Sequence, residues 1–134
     1  MKSVFKIVSA IVVILIISIV GYFLVYYLSA RDIEDVIVKG YVIDRSTNVP
    51  IENVQVIIVN ERYEDDNGNK NYDEYLGRDK IEVYTNKDGY YEVKLNKSSF
   101  VWIRLKTDEY LEFEEKGKKS KKTLLFKTYL SKKE

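Results

Sequence analysis

A polar run at positions 65–74 holds the residues of this chain that are best suited to bind a metal ion. Oxygen-bearing side chains occupy alternate positions of the run: Asp65, Asn67, Asn69, Asn71 and Asp73. Calcium takes about six to eight oxygen ligands at about 2.3–2.6 Å, and carboxylates alternating with amides along a loop can supply them. The spacing therefore predicts a calcium site formed by Asp65, Asn67, Asn69 and Asp73. We expect no cofactor other than calcium, which this run could bind.

The same run also fits a second interpretation, a solvated turn that binds nothing. The EF-hand loop needs glycine at its sixth position. Counted from Asp65, the sixth residue is Lys70 and Gly68 is the fourth. Asn67-Gly68 is instead a strong signal for a tight turn. The run is similar to the calcium loops in B-type repeats of Gram-positive surface adhesins, and both interpretations stay open.

Tyrosines lie in or beside this acidic run, and we predict that Tyr63, Tyr72 and Tyr75 contact a protein partner. Tyrosine is enriched among the residues that contribute most to protein–protein binding. The alternative is that these rings pack along the face of a sheet, as cross-strand aromatic pairs often do.

A second charged segment, residues 117–122, contains four lysines. Clustered lysines can bind anionic lipid headgroups or a polyanionic wall polymer. The alternative interpretation is a soluble turn between the last two strands.

Histidine and cysteine are both absent from the chain. Their absence excludes histidine acid–base catalysis, thiol nucleophiles, disulfides and the usual zinc ligand sets. The formal net charge of +1 argues against a nucleic-acid-binding protein, which would carry a basic excess. A hydrolase that uses a carboxylate pair such as Asp65 and Asp73 is the remaining catalytic alternative. We expect no enzymatic activity, no catalytic residue and no small-molecule substrate.

Residues 7–28 form a long apolar stretch without a single charge. As a helix with a rise of about 1.5 Å per residue it would span roughly 33 Å, enough to cross a bilayer core of about 30 Å. Lys2 and Lys6 precede it, whereas acidic residues soon follow Arg31. Because basic flanks stay on the cytoplasmic side, we predict a cytoplasmic segment 1–6 and an extracytoplasmic domain after a short tether, 29–35. A signal peptide cleaved after Ala30 is the alternative, but Leu28 is a poor residue for that cleavage site.

Alternation of apolar and polar residues dominates the chain after residue 35 and is typical of β-strands. It predicts strands at 36–42, 54–59, 81–85, 90–95, 100–106, 110–113 and 123–130. Strand 54–59 is apolar at nearly every position and should be buried on both faces or covered at one edge. The turn residues 86–89 predict a hairpin over 81–95. We therefore predict an all-β fold, a seven-stranded antiparallel β-sandwich over 36–131 with a polar insertion at 60–80, preceded by one transmembrane α-helix.

Two segments carry a resemblance to a known family. Residues 37–56 contain a strand with Gly40-Tyr-Val42, then Asp44, a turn, Pro50-Ile51 and Val54-Gln-Val56; residues 85–95 contain Thr85, Gly89, Tyr91 and Val93 in hairpin spacing. Over about 36–107 this pattern resembles the carboxypeptidase regulatory-like domain family. The resemblance implies a prealbumin-like (transthyretin-like) β-sandwich without catalytic activity. The usual glycine of the first turn is Asn48 here, a residue that tolerates the left-handed conformation.

Together these features predict a single-pass protein of the cell membrane, anchored by residues 7–28. Its extracytoplasmic β-sandwich would act by binding a membrane or extracytoplasmic protein, or as a structural component at the membrane surface. A calcium-stabilised surface or wall-associated module, and an immunity-type protective protein, are the alternatives within the non-enzymatic class.

Overall fold

The computed structural model describes residues 1–134, which form one helix followed by seven strands. In chain order these elements are α1 Lys2–Ser29, β1 Ile33–Asp44, β2 Gln55–Arg62, β3 Gly77–Tyr84, β4 Tyr90–Ser98, β5 Phe100–Lys106, β6 Phe113–Lys119 and β7 Thr123–Leu130. The chain divides into two compact units, Met1–Arg31 and Asp32–Glu134.

Helix α1 is the one helix of the chain that is long and apolar enough to cross a membrane. It extends beyond the predicted stretch 7–28 at its N-terminal end, and none of its residues is buried within the protein. A helix that is apolar on all sides needs apolar surroundings.

The second unit is a β-sandwich of two sheets. The three-stranded sheet has the order β4-β1-β7, and the four-stranded sheet has the order β3-β2-β5-β6. Alternate side chains of both sheets form one core that is closed to solvent: Val36, Val38, Val42, Val56, Ile58, Leu95, Val101, Ile103, Leu105, Leu124, Phe126 and Leu130. Strand β2 is buried on both faces over Val56–Asn60, as its composition predicts. Asn48 has a φ of 60°, in the left-handed region that the sequence predicts for it.

The prediction that every strand pair is antiparallel is wrong. Strands β1 and β7 are parallel, with Ile37 opposite Thr123 and Asp44 opposite Leu130. The chain passes from β6 in one sheet to β7 in the other, so β7 enters beside β1 in the same direction. Apolar alternation shows which face of a strand is buried, but it carries no information about strand direction.

The hairpin predicted over 81–95 is also wrong, although its turn is present. Gly89 has a φ of 67° and donates its N–H to the carbonyl of Asn86 at 2.9 Å. However, β3 lies in the four-stranded sheet and β4 in the three-stranded one. The Gly89 carbonyl accepts the N–H of Val42 at 2.8 Å, so the chain leaving the turn pairs with β1 rather than with β3. A tight turn at 86–89 is compatible both with a hairpin and with a crossing from one sheet to the other.

The sixth strand begins at Phe113, where the predicted strand 110–113 ends. Segment 117–122 is therefore not simply a turn, because its first half lies in β6. Strand β6 is at the edge of its sheet and is exposed on nearly all of its residues. Lysines are common on such edges because they discourage pairing with other chains. An edge strand of this kind has no apolar alternation that the sequence could reveal.

The end of β1 is fixed by the buried carboxylate of Asp44. Its oxygens accept hydrogen bonds from the Tyr110 hydroxyl at 2.7 Å and from the backbone N–H of Ser46 and Thr47 at 2.8 and 3.1 Å. The bond from Tyr110, together with those from Ser46 and Thr47, holds the pKa of Asp44 well below its usual range. The same bond, with burial, raises the pKa of Tyr110 to about 12.

These two pKa shifts predict a pH window for stability. Because the folded state favours the Asp44 carboxylate, its stabilising effect is complete above a pH of about 4 and is lost as the pH falls further. Because the folded state favours neutral Tyr110, that contribution is lost as the pH rises from about 10 to 12. The unfolding temperature should fall at acid pH, and we expect Asp44→Asn to make that fall smaller. The measurement is made on the full chain in neutral detergent. Asp88→Asn, in an exposed turn, is the control and should leave the fall of the unfolding temperature at acid pH unchanged.

Candidate functional site

The candidate site is built on the segment between β2 and β3, residues 63–76, which we call the acidic loop. It is shorter than the predicted insertion 60–80, because residues 60–62 complete β2 and residues 77–80 begin β3. Its two ends are therefore held by neighbouring strands that pair from Arg62 opposite Gly77 onward.

The start of the acidic loop is held by Asp32, which lies just before β1. One carboxylate oxygen of Asp32 accepts the backbone N–H of Tyr63 at 2.8 Å and the hydroxyl of Ser99 at 2.6 Å. The other accepts the N–H of Glu64 at 3.2 Å. One side chain thus ties the loop to the β4–β5 connection. Charged acceptors form the stronger class of hydrogen bond.

Arg62, the last residue of β2, stabilises the acidic loop through hydrogen bonds and is only 8% exposed. Its guanidinium donates two hydrogen bonds to Asp79, at 2.9 and 3.1 Å, one to Asp66 at 2.9 Å and one to the Glu64 carbonyl at 2.8 Å. Burial disfavours the charge, but the bonds to Asp79 and Asp66 outweigh that effect and raise the pKa of Arg62. Gly77 provides the space, since a Cβ there would lie 2.8 Å from the guanidinium carbon.

The residues predicted to bind calcium are only partly brought together. The Asp65 carboxylate accepts the backbone N–H groups of Asn67 and Asn69, both at 2.9 Å, and the Asn69 side-chain amide at 3.0 Å. The bonds from Asn69 are the main cause of a lowered pKa for Asp65. Asp73 lies in a separate turn, where its N–H donates to the side chain of Asn71 at 2.8 Å.

The oxygens of Asp65 are thus engaged by the loop's own amides. The structure contains no group of three or more acidic side chains placed to hold a metal ion. Calcium binding stays a prediction, and a shift in unfolding temperature with millimolar calcium is the measurement that tests it.

Two of the three predicted partner-binding tyrosines lie in one stack of rings. The ring centroids of Tyr63 and Tyr75 are 4.9 Å apart, and those of Tyr75 and Phe100 are 6.2 Å apart. Tyr75 is 40% exposed, and burial together with the neighbouring Tyr63 raises its pKa to about 12. Gly117 of β6 makes room for the stack, because a Cβ at that position would overlap the Phe100 ring. Tyr72 lies in the same loop and is half-buried.

Sequence reasoning missed Asp32 and Arg62, the two side chains that position the loop. A signal for Arg62 was present. It continues the alternation that places Val56 and Ile58 in the core, and a charge in that register is buried only with partners. Asp32 gave no signal, because its contacts are to residues far along the chain.

No protein-family model and no curated protein matches the chain. Among solved structures it is similar to 3-chlorocatechol 1,2-dioxygenase from Rhodococcus opacus 1CP, with 12% identity and a TM-score of 0.52 over 74% of this chain and 60% of that one. It is also similar to catechol 1,2-dioxygenase from Acinetobacter radioresistens, with 13% identity and a TM-score of 0.53 over 76% and 53%. A third similar structure is the pilus 2b backbone protein of group B streptococcus, with 15% identity and a TM-score of 0.51 over 73% and 41%.

The chain spans about 40% to 60% of the length of these proteins. At such low identity the likeness concerns the fold alone, and it carries neither activity nor partner from one protein to another. What the chain shares with all three is a β-sandwich.

Proposed function

We propose that this protein is a non-enzymatic module, anchored in the cell membrane by α1, whose extracytoplasmic β-sandwich binds a protein partner through the acidic loop. Lys2 and Lys6 before the helix, and the acidic residues after Arg31, support a cytoplasmic N-terminus. The segments 37–56 and 85–95 support a carboxypeptidase regulatory-like, prealbumin-like domain. The likeness to a pilus backbone protein is compatible with a structural module.

The observation that carries this proposal is an exposed aromatic surface on a loop that is held in place. Tyr75 and Leu76 are 40% and 39% exposed at the end of the loop. Asp32 and Arg62 fix the other end through charged hydrogen bonds. A preorganised loop loses little entropy on binding, and tyrosine provides a large contact area. Strand β3, which follows the loop, is a sheet edge where a partner strand could pair.

The experiment is crosslinking in intact cells followed by recovery of the full chain from membranes. Tyr75→Ser combined with Leu76→Ser removes the exposed apolar surface without touching the bonds of Asp32 or Arg62. We expect recovery of the crosslinked partner to fall at least tenfold.

The matched control is Tyr41→Ser, because Tyr41 is 42% exposed on the outer face of the other sheet. It should leave recovery unchanged. Equal recovery with the loop variant and the control would contradict the role of the loop. A protein that runs at the length expected for cleavage after Ala30 would contradict the anchor.

A further inference from the structure

The outer face of the four-stranded sheet carries a groove of about 260 Å³ that we call the Trp102 groove. Its floor is apolar and consists of Ile57, Val59 and Trp102. Val59 lies opposite Trp102 in the register of β2 and β5, and Ile57 follows on the same face. Ile57 and Val59 are 6% and 5% exposed although this face has no second sheet over it. Long side chains from the neighbouring strands therefore cover them.

The rim of the Trp102 groove is cationic. Its charged side chains come from β3 and β5: Arg78, Lys80, Arg104 and Lys106. The Arg104 guanidinium lies 5.9 Å from the centroid of the Trp102 ring, in the range of a cation–π contact. No acidic side chain lines the groove.

Three of the four cations are paired with glutamates outside the groove: Glu61, Glu112 and Glu114. The pairs of Arg104 and Lys106 are solvent-exposed and can be exchanged at little cost, since exposed ion pairs contribute about 0–1 kcal/mol. Arg78 is bound more firmly, because the side chain of its partner Glu61 is only 13% exposed. Lys80 forms no ion pair. The groove thus presents one unpaired positive charge, that of Lys80, and two exchangeable ones, those of Arg104 and Lys106, around an apolar floor.

The volume and composition of the groove indicate which class of ligand it fits. Pockets for small molecules measure about 300–1,000 Å³, so this groove is better matched to one or two side chains than to a cofactor. Tryptophan and arginine are the residues most enriched where protein interfaces gain their binding energy. A ring of cations around them favours a partner of opposite charge.

We propose that the Trp102 groove binds an acidic peptide segment of the protein partner. One apolar side chain of that segment lies on Trp102 and Val59, and flanking carboxylates bind Lys80 and its neighbours. The inference rests on the proposed function, because it gives the chemistry of the partner. Phe100, which belongs to the ring stack of the acidic loop, lies two residues before Trp102 on the same face of β5, so the two surfaces adjoin.

Trp102 is the only tryptophan of the chain, so its fluorescence reports on the groove directly. The full chain in neutral detergent is titrated with a peptide of eight glutamates flanking a central phenylalanine. We expect a saturable change in emission, an affinity that falls as salt rises, and a matching heat in isothermal calorimetry. The same peptide with glutamine in place of glutamate should bind at least tenfold more weakly.

Two variants test the rim. Lys80→Gln should weaken binding of the acidic peptide at least threefold, and Lys80→Gln with Lys106→Gln at least tenfold. Lys127→Gln, on an exposed position of the other sheet, is the matched control and should bind as the natural chain does.

Equal binding of the glutamate and glutamine peptides, or neither an emission change nor heat, would overturn the proposal. Preference for polygalacturonate or for phosphatidylglycerol vesicles over the acidic peptide would overturn it as well, and would assign the groove to a glycan or a lipid surface. If the peptide does not bind but the crosslink still depends on Tyr75 and Leu76, the groove proposal is wrong and the proposed function stands. If the peptide binds but the crosslink does not depend on Tyr75 and Leu76, the groove proposal stands and the proposed role of the acidic loop is wrong.

Discussion

Replacing Gly40 by alanine should destabilise the β-sandwich by at least about 3 kcal/mol, at the upper end of the cost of overpacking a core. Gly40 lies in the middle of β1, opposite Tyr91 of β4 and Phe126 of β7. A Cβ at this position would overlap the Tyr91 hydroxyl and lie 2.5 Å from the Phe126 carbonyl oxygen. Because β1 has a partner strand on each side, it has little room to move away. The full chain in neutral detergent should lose several degrees of unfolding temperature, followed by Trp102 fluorescence.

Gly21→Ala is the matched control, because nothing lies within 4 Å of a Cβ built there. The Tyr91 hydroxyl is buried without a hydrogen-bond partner, so Tyr91→Phe alone should leave stability equal or raise it by about 1 kcal/mol. Combining it with Gly40→Ala should restore little of the loss, because the Tyr91 ring carbon at 2.6 Å and the Phe126 carbonyl oxygen at 2.5 Å still overlap the new Cβ. An unchanged unfolding temperature for Gly40→Ala would contradict the packing described for β1.

Replacing Arg62 by methionine should loosen the acidic loop and cost about 2 kcal/mol of unfolding free energy. Breaking a buried ion pair costs about 3–5 kcal/mol, but the side chains of Asp79 and Asp66 are 42% and 90% exposed and keep much of their hydration. The Glu64 carbonyl also loses its donor. We expect the loop to become the first site of cleavage in limited proteolysis, well below the temperature of global unfolding.

Arg78→Met is the control for charge and size. Arg78 is 69% exposed, but its partner Glu61 is only 13% exposed, so this substitution removes an ion pair without removing a buried cation and should cost less than Arg62→Met. Equal effects of the two substitutions would show that burial of Arg62 contributes nothing to the loop. Cleavage that begins outside residues 63–76 would show that Arg62 supports the sandwich as a whole.

The sequence predicted the faces of the strands better than their partners. Alternation along β5 puts Val101, Ile103 and Leu105 on one face, and in the structure that face is completely buried. It could not show that β3 and β4 belong to different sheets, because a turn at 86–89 forms equally well on either path. Strand pairing depends on contacts between residues distant in the chain, and a local pattern does not contain them.

The candidate site, too, was predicted from the sequence only in part. The sequence located the loop and its tyrosines, because polarity and turn residues are local properties. It did not reveal how the loop is held, because Asp32 acts on Tyr63 and Ser99 across the fold. The Trp102 groove was hidden for a similar reason. Its cations come from two strands that are not adjacent, β3 and β5, with β2 between them.

The parallel pairing of β1 with β7 has a consequence for the biogenesis of the protein. The first strand to be synthesised occupies the centre of its sheet and finds one of its two neighbours only in the last strand made. Pairing over such a separation in sequence is slow, since the loop entropy must be lost before the contacts form. The three-stranded sheet is therefore incomplete until β7 has been made, although β1 can pair with β4 before that. Completion of the three-stranded sheet is therefore the step of folding that must wait longest for its strands.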